Sequence, residues 1–298
     1  MRQPLLLGAA AAVACAAAAA PASAARPANG VIAFSRITPA GVAIFTVAPG
    51  GGTPERLVAG GFPDWDPSGR FLAFVRGDAI WTVSASGRGA TRIVRGGTSP
   101  AFSTSGDQIA YVKGGSLWVA KVDGTGATRV FRHARDWAVA SPDWTPGDAR
   151  IAFNYVRTDT EPPDLPVVQI RTYALAGSGA AAGVLHRPAA DPAAIGGWVN
   201  GGVSLAWRPQ GGRIAVTMTG GPANGPGIGL GTLSSSGGRL GAPRVIGAAH
   251  AAWAPDGRAL CLTGPAGLST LDFGGTTPTT IVPAGRATIG ACSWRPRP

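Results

Sequence analysis

The sequence predicts an all-β protein: a six-bladed β-propeller of four-stranded antiparallel blades, its ring closed by strands from both termini. Three observations predict it. Short apolar runs are punctuated by abundant Gly (46) and Pro (26) in a chain of 298 residues, which favours strands and turns over helices. One aromatic-turn unit recurs along the chain. The two chain ends hold complementary fragments of that unit.

The unit is Trp65-Asp66-Pro67-Ser68-Gly69, whose last four residues are turn chemistry. Its relatives are Phe102-Ser103-Thr104-Ser105-Gly106, Trp144-Thr145-Pro146-Gly147-Asp148, Trp207-Arg208-Pro209-Gln210-Gly211, Trp253-Ala254-Pro255-Asp256-Gly257 and Trp294-Arg295-Pro296. The aromatic residues are separated by 37, 42, 63, 46 and 41 positions. Four of these intervals match the length of one four-stranded blade, about 40–45 residues. A second strand follows each turn: Leu72-Ala73-Phe74, Ile109-Ala110-Tyr111, Ile151-Ala152-Phe153, Ile214-Ala215-Val216 and Leu260-Cys261-Leu262. Large residues flank a small one, as expected where the two faces of a strand meet different neighbours. Third strands read Ile80-Trp81-Thr82-Val83 and Leu117-Trp118-Val119-Ala120, and fourth strands Thr91-Arg92-Ile93-Val94, Thr128-Arg129-Val130-Phe131 and Arg244-Val245-Ile246.

The N-terminal part begins with a second strand, Ile32-Ala33-Phe34, and runs through Ala43–Val47 and Arg56-Leu57-Val58. The C-terminal part ends with a first strand, Ile289 to Trp294. Joined, they make one blade and leave no strand edge open between blades.

The first 25 residues are expected to be a secretory signal peptide, with Arg2, an apolar stretch from Leu5 and an Ala22-Ser23-Ala24 cleavage site. The domain is then 26–298. Alternatives are a membrane-anchoring helix, opposed by Pro21, and a lipoprotein acylated at Cys15. No other stretch is apolar and long enough to span a bilayer. Export places Cys261 and Cys292 in an oxidising or neutral compartment, where they pair or sit as buried small hydrophobes. Net charge is +11, or +10 once Arg2 leaves with the leader. On an exported chain that charge fits an envelope protein or an anionic wall polymer as partner, not nucleic acid. Arg56, Arg92, Arg129, Arg187 and Arg244 fall at or near fourth strands, where a charge discourages edge-to-edge pairing. The protein is expected to be a monomer.

The Pro-x-Trp-x-Pro-x-Gly turn (Pro63, Trp65, Pro67, Gly69), the Ile-Ala-Phe strand and the closing Arg-Ile-Val strand resemble the TolB-type, WD-like β-propeller repeat. The resemblance spans nearly all of 30–298 and departs at Phe102, Thr104 and the stretched fourth blade. It implies the fold, and permits a role in an envelope complex without fixing an activity.

Catalytic chemistry is sparse. His133, His186 and His250 have no metal-ligand spacing, no Gly-x-Ser-x-Gly elbow occurs, and the Gly-rich pieces match no phosphate loop. No metal and no cofactor are expected. The first strands Thr98–Phe102, Gly202–Trp207 and His250–Trp253 carry His250 as their one titratable residue, which argues against an enzyme site in the channel. The extra length of the chain gathers on one face, in Arg132–Ala140, Arg157–Pro166 and Ala189–Gly202. Long loops on a rigid scaffold are where binding residues concentrate. The candidate binding residues are therefore His133, Arg135, Asp136, Trp137, Arg157, Asp159, Glu161, Asp164, Trp198 and Asn200. Asp159, Glu161 and Asp164 lack calcium-loop spacing and are expected to form a solvated acidic loop. Trp137 and Trp198 either make a contact with a protein or glycan or pin the loops. The expected function is a non-catalytic exported scaffold binding through the blade-four loops. The alternative is an enzyme, or a small-ligand or glycan binder, using the central channel.

Overall fold

The structure is a computed structural model. It describes residues 28–159, 168–175, 183–186, 198–199, 204–220, 227–234, 244–245 and 247–297. The chain is an all-β propeller, and no helix occurs among the described residues. The described strands form six antiparallel sheets.

The first sheet joins the two ends of the chain: Thr288–Pro296 pairs with Asn29–Thr38, which is followed outward by Gly41–Val47 and Glu55–Ala59. The second sheet runs Gly61–Trp65, Phe71–Arg76, Ala79–Ser84 and Thr91–Arg95. The third is Thr98–Phe102, Gln108–Lys113, Ser116–Lys121 and Thr128–Phe131. The fourth is Trp137–Trp144, Arg150–Arg157, Val168–Ala174 and Gly183–His186. In the fifth, Trp198–Val199 and Leu205–Trp207 both pair with Arg213–Gly220, followed by Gly227–Ser234 and Arg244–Val245. The sixth is His250–Trp253, Ala259–Gly264, Gly267–Asp272 and Thr279–Pro283.

The large-small-large triplets of the second strands explain how the sheets stack. Ile32 and Phe34 of the first sheet pack against the sixth, in one cluster with Leu268 and Ala254. Ala33 between them packs against the second sheet, beside Leu72 and Phe74. The same division holds onward. Ile109 and Tyr111 join Ala73 of the second sheet, Ile151 and Phe153 join Ala110 of the third, Ile214 and Val216 join Ala152 of the fourth, and Leu260 and Leu262 join Ala215 of the fifth. Each second strand thus turns its large residues to the preceding sheet and its small one to the following sheet. A small residue is required on that side because the incoming pair of large side chains fills the space.

Cys261 occupies the small position of the sixth sheet and therefore faces the first. There it forms a disulfide with Cys292, the Cα atoms 6.6 Å apart. The bridge ties the sixth sheet to the strand supplied by the C-terminus.

The turn after each first strand uses its glycine as expected. At Gly69 the backbone is left-handed (φ 68°), and a Cβ there would meet the Pro296 carbonyl oxygen at 2.2 Å. On the outer strands Arg56, Arg92 and Arg129 are exposed. Arg92 lies over Trp81 at 5.9 Å and Arg129 over Trp118 at 6.0 Å, so these guanidinium groups also cover the aromatic face of the third strand. Arg187 lies outside the described residues; Arg244 is placed in its strand.

Candidate functional site: the central channel

First strands run along the axis of the wheel, and their inner faces bound a central cavity of about 580 Å³. Its wall includes Phe62–Trp65, Ser99–Phe102, Ser141–Trp144, Leu205–Trp207, Ala249–Trp253 and Ile289–Trp294.

One position of the repeat governs how neighbouring first strands are held. It is the residue just before the turn aromatic: Ser293, Asp64, Ala101, Asp143, Ala206 and Ala252 in ring order. Where it is polar, its side chain accepts the backbone N–H of the next sheet's aromatic residue. Ser293 Oγ takes Trp65 N at 3.1 Å, Asp64 takes Phe102 N at 2.7 Å, and Asp143 takes Trp207 N. Where it is Ala101 or Ala206, its carbonyl instead accepts the indole N–H of Trp144 or Trp253, each at 3.0 Å. After Ala252 the junction is the one crossed by the disulfide.

Asp64 and Asp143 correct the sequence-based expectation that His250 is the one titratable group on the first strands. The structure places Gly61–Trp65 and Trp137–Trp144 as first strands too, and each brings an aspartate to the channel wall. Burial pushes the Asp64 carboxyl up to about 7; the Phe102 N–H and Ser293 hydroxyl oppose the rise, and the charge of Asp66 adds to it. Burial likewise pushes Asp143 up to about 7, against the Trp207 and Trp144 N–H groups and with the charge of Asp64. His250 is driven the other way, down to about 4, by burial. Its Nδ1 faces Cys292 N at 3.4 Å, which makes Nδ1 the acceptor and leaves the proton on Nε2. At neutral pH the channel therefore holds a neutral imidazole and two carboxyl groups near their midpoint.

The channel mouth carries backbone strain. Phe62, Ser99 and Ser141 have φ of 53°, 51° and 46°. Each precedes a proline (Pro63, Pro100, Pro142) and sits in a register shift of its first strand. A left-handed non-glycine residue before proline costs of order 1–3 kcal/mol. Such bulges re-aim side chains and recur beside functional sites. Here three consecutive sheets turn a side chain toward the channel mouth, and Phe62 is 51% exposed there.

The loop residues of the sequence-based site fall into three groups. Trp137 is corrected from loop to strand: it pairs with Arg157 at the start of an eight-residue first strand and stacks on Tyr155 with centroids 4.7 Å apart. The ring stack and the bulge near Ala140 extend this strand beyond its repeat length. Arg157 and Asp159 grip each other, with bonds of 2.6 and 2.9 Å, while exposed Arg135 lies 4.0 Å from Asp136. His133 Nδ1 is 2.9 Å from Ser116 Oγ. Trp198 is placed by its backbone pairing with Gly220. Glu161, Asp164 and Asn200 lie outside the described residues, as does His186's side chain.

Asp64 and Asp143 were legible in the sequence, had the residue before each turn aromatic been aligned across the six units. The strained positions were signalled by Phe62-Pro63, Ser99-Pro100 and Ser141-Pro142, three X-Pro pairs in one register.

Strand-lined channel, axial first strands and edge-covered sheets define a β-propeller, and the fold is of the TolB type. The chain is similar to the solved structure of TolB from Acinetobacter baumannii, with a TM-score of 0.68 and 16% identity over 91% of this chain and 68% of that one. It is also similar to a puromycin hydrolase S511A mutant complexed with PGG, with a TM-score of 0.52 and 18% identity over 88% of this chain and 44% of that one. This chain thus spans less than half of the hydrolase. No protein-family model matches the sequence, and no curated protein does.

Proposed function

We propose that this is an exported, six-bladed binding propeller, processed after residue 25, that receives its partner on one face centred on the channel mouth. The observation that carries this reading is the strained trio Phe62, Ser99 and Ser141 on the wall of the channel. Strain of this kind persists where a binding geometry is held in place. The six sheets, the apolar cluster at each junction and the pairing of both chain ends support a six-bladed closed ring.

Antiparallel order puts the start of each first strand, the hairpin between second and third strands and the link between sheets on the same face. The channel mouth and the blade-four loops therefore belong to one surface. Exposed Ile37 and Val42, on the first sheet's hairpin, add apolar area to it. The partner in this reading is an envelope protein or polymer seated over the mouth. In this reading His133, Arg135, Asp136, Trp137, Arg157 and Asp159 form its rim, and Glu161, Asp164, Trp198 and Asn200 are proposed to contact the same partner. Asp64 and Asp143 already accept backbone bonds between sheets, which favours binding over catalysis.

Capture from the native envelope fraction at low and high salt tests this. The wild-type bait is expected to retain a discrete partner at high salt. Phe62→Arg should lose it, and replacing residues 157–166 by a Gly-Ser turn should weaken it. Capture that ignores both changes and vanishes with salt would mean that the basic surface merely adheres to anionic polymer.

A further inference from the structure

The channel presents an imbalance of charge. The chain as a whole carries +11. Yet the two carboxyl groups facing the channel have no cationic partner among the described residues: burial is the main cause of their raised values, and the neighbouring charges that act on them are acidic. The guanidinium at the turn end of the cavity is already engaged, Arg208 donating to the Gly257 carbonyl at 2.9 Å and lying over Trp253 and Phe273. His250 is neutral and uses Nδ1 toward the backbone. A buried carboxylate without a counter-charge is costly.

A second, independent feature lies on the wall of the same cavity. Thr263 lines the channel where the first strand of the sixth sheet begins, opposite His250. It is 1% exposed, and its hydroxyl has no hydrogen-bond partner. A buried hydroxyl left unpaired costs about 1–3 kcal/mol. The carboxyl groups supply acceptors, the hydroxyl either role, and Phe62, Pro63 and Pro142 apolar and ring surface.

We infer that the channel receives a cationic group, an ammonium or guanidinium on an apolar stem, as the counter-charge for Asp64 and Asp143, with Thr263 completing its hydrogen bonds. This rests on the proposed channel mouth as the binding face and names the chemistry of what enters it. Guanidinium meets carboxylate through short charge-assisted bonds, which neutral donors do not equal. Binding displaces protons from the two carboxyl groups. It strengthens with pH through about 7 and is complete above it, because only the ionised pair attracts the cation.

The test is calorimetric titration of the purified protein with n-butylguanidinium, against its neutral isostere N-butylurea. At pH 8 the cation is expected to bind and the urea not. At pH 5.5 affinity should fall at least roughly tenfold, as more than one pH unit of protonation is imposed. At pH 7, repeating the titration in buffers of different ionisation enthalpy should show about one proton released, half from each carboxyl. Asp64→Asn/Asp143→Asn should weaken binding at least about tenfold at pH 8, and Thr263→Val about threefold. Thermal melts of each variant separate lost binding from lost folding. Urea binding as well as the cation, with both lost in Phe62→Arg, would overturn the cationic assignment while leaving the channel as the site. Absence of cation binding at pH 8, or binding unchanged in the double aspartate variant, would overturn it outright.

Discussion

Removing the Cys261–Cys292 bridge is expected to cost the protein about 3–4 kcal/mol, the loop-closure value for a crosslink between residues 31 apart. In a domain of this size that lowers the melting temperature by on the order of 10 °C. The effect is large because of where the bond lies. Hydrogen bonds link neighbouring first strands around the wheel, the sixth-to-first junction through Cys292 N–H to His250 Nδ1 at 3.4 Å, and among the described residues that junction is also crossed covalently. That junction holds the strand contributed by the C-terminus. Differential melting of the Cys261→Ala/Cys292→Ala variant checks this. Since Cys261 and Cys292 are 0% and 1% exposed, reductant should leave the native bond intact until denaturant opens the sheets. A variant as stable as wild type would show that strand pairing alone closes the ring.

The second large effect concerns pH. In the folded state Asp64 and Asp143 hold their protons up to about 7, while in the unfolded chain they lose them near 3.8. Between those values the folded state binds more protons. Stability contributed by these groups is present below about 4 and is lost as pH rises through 7. His250 acts oppositely: it stays neutral down to about 4, but titrates at 6.5 when unfolded, so its contribution rises across that interval and is full above it. The two carboxyl groups interact, so the pair titrates as a unit. Both are partly open to channel water, which limits the loss to on the order of 1–3 kcal/mol per carboxyl. Asp64→Asn/Asp143→Asn keeps acceptors for the Phe102 and Trp207 N–H groups without the charge. The variant should match wild type near about pH 3.5, below the unfolded carboxyl value, and exceed its stability at pH 8 by about 2–4 kcal/mol. Denaturant melts at the two pH values provide the comparison. A variant destabilised equally at both would mean that the carboxylates stabilise the junctions as ions.

Much of the fold was legible because the repeat writes each structural need at a fixed offset. The Ile-Ala-Phe triplet announces a strand buried on both faces, and the turn glycine announces a left-handed corner. The complementary ends announce that Asn29–Thr38 and Thr288–Pro296 will pair. The disulfide was half visible: Cys261 stands in the triplet's small position, but its facing partner depends on which sheets adjoin. The site was less legible. Attention to loop length singled out Trp137, whose stack on Tyr155 belongs to the strand. It passed over Asp64 and Asp143, which look like ordinary turn-flanking aspartates until the wheel brings distant first strands together. At Phe62, Ser99 and Ser141 the X-Pro pairs mark the register, but the residue before a proline favours extended backbone, so the left-handed conformation at the bulges is not what local propensity announces.

Photo-crosslinking in the native envelope distinguishes a partner seated at the channel mouth from one held on the outer edge. A photoreactive phenylalanine analogue would replace Phe62 at the channel mouth, Arg157 at the blade-four rim, and Arg92 on the outer edge of the second sheet. Positions 62 and 157 are expected to trap the same partner, and position 92 none. Crosslinks at position 92 with silence at position 62 would contradict this, placing the interaction on the basic outer edge and leaving the channel without a ligand.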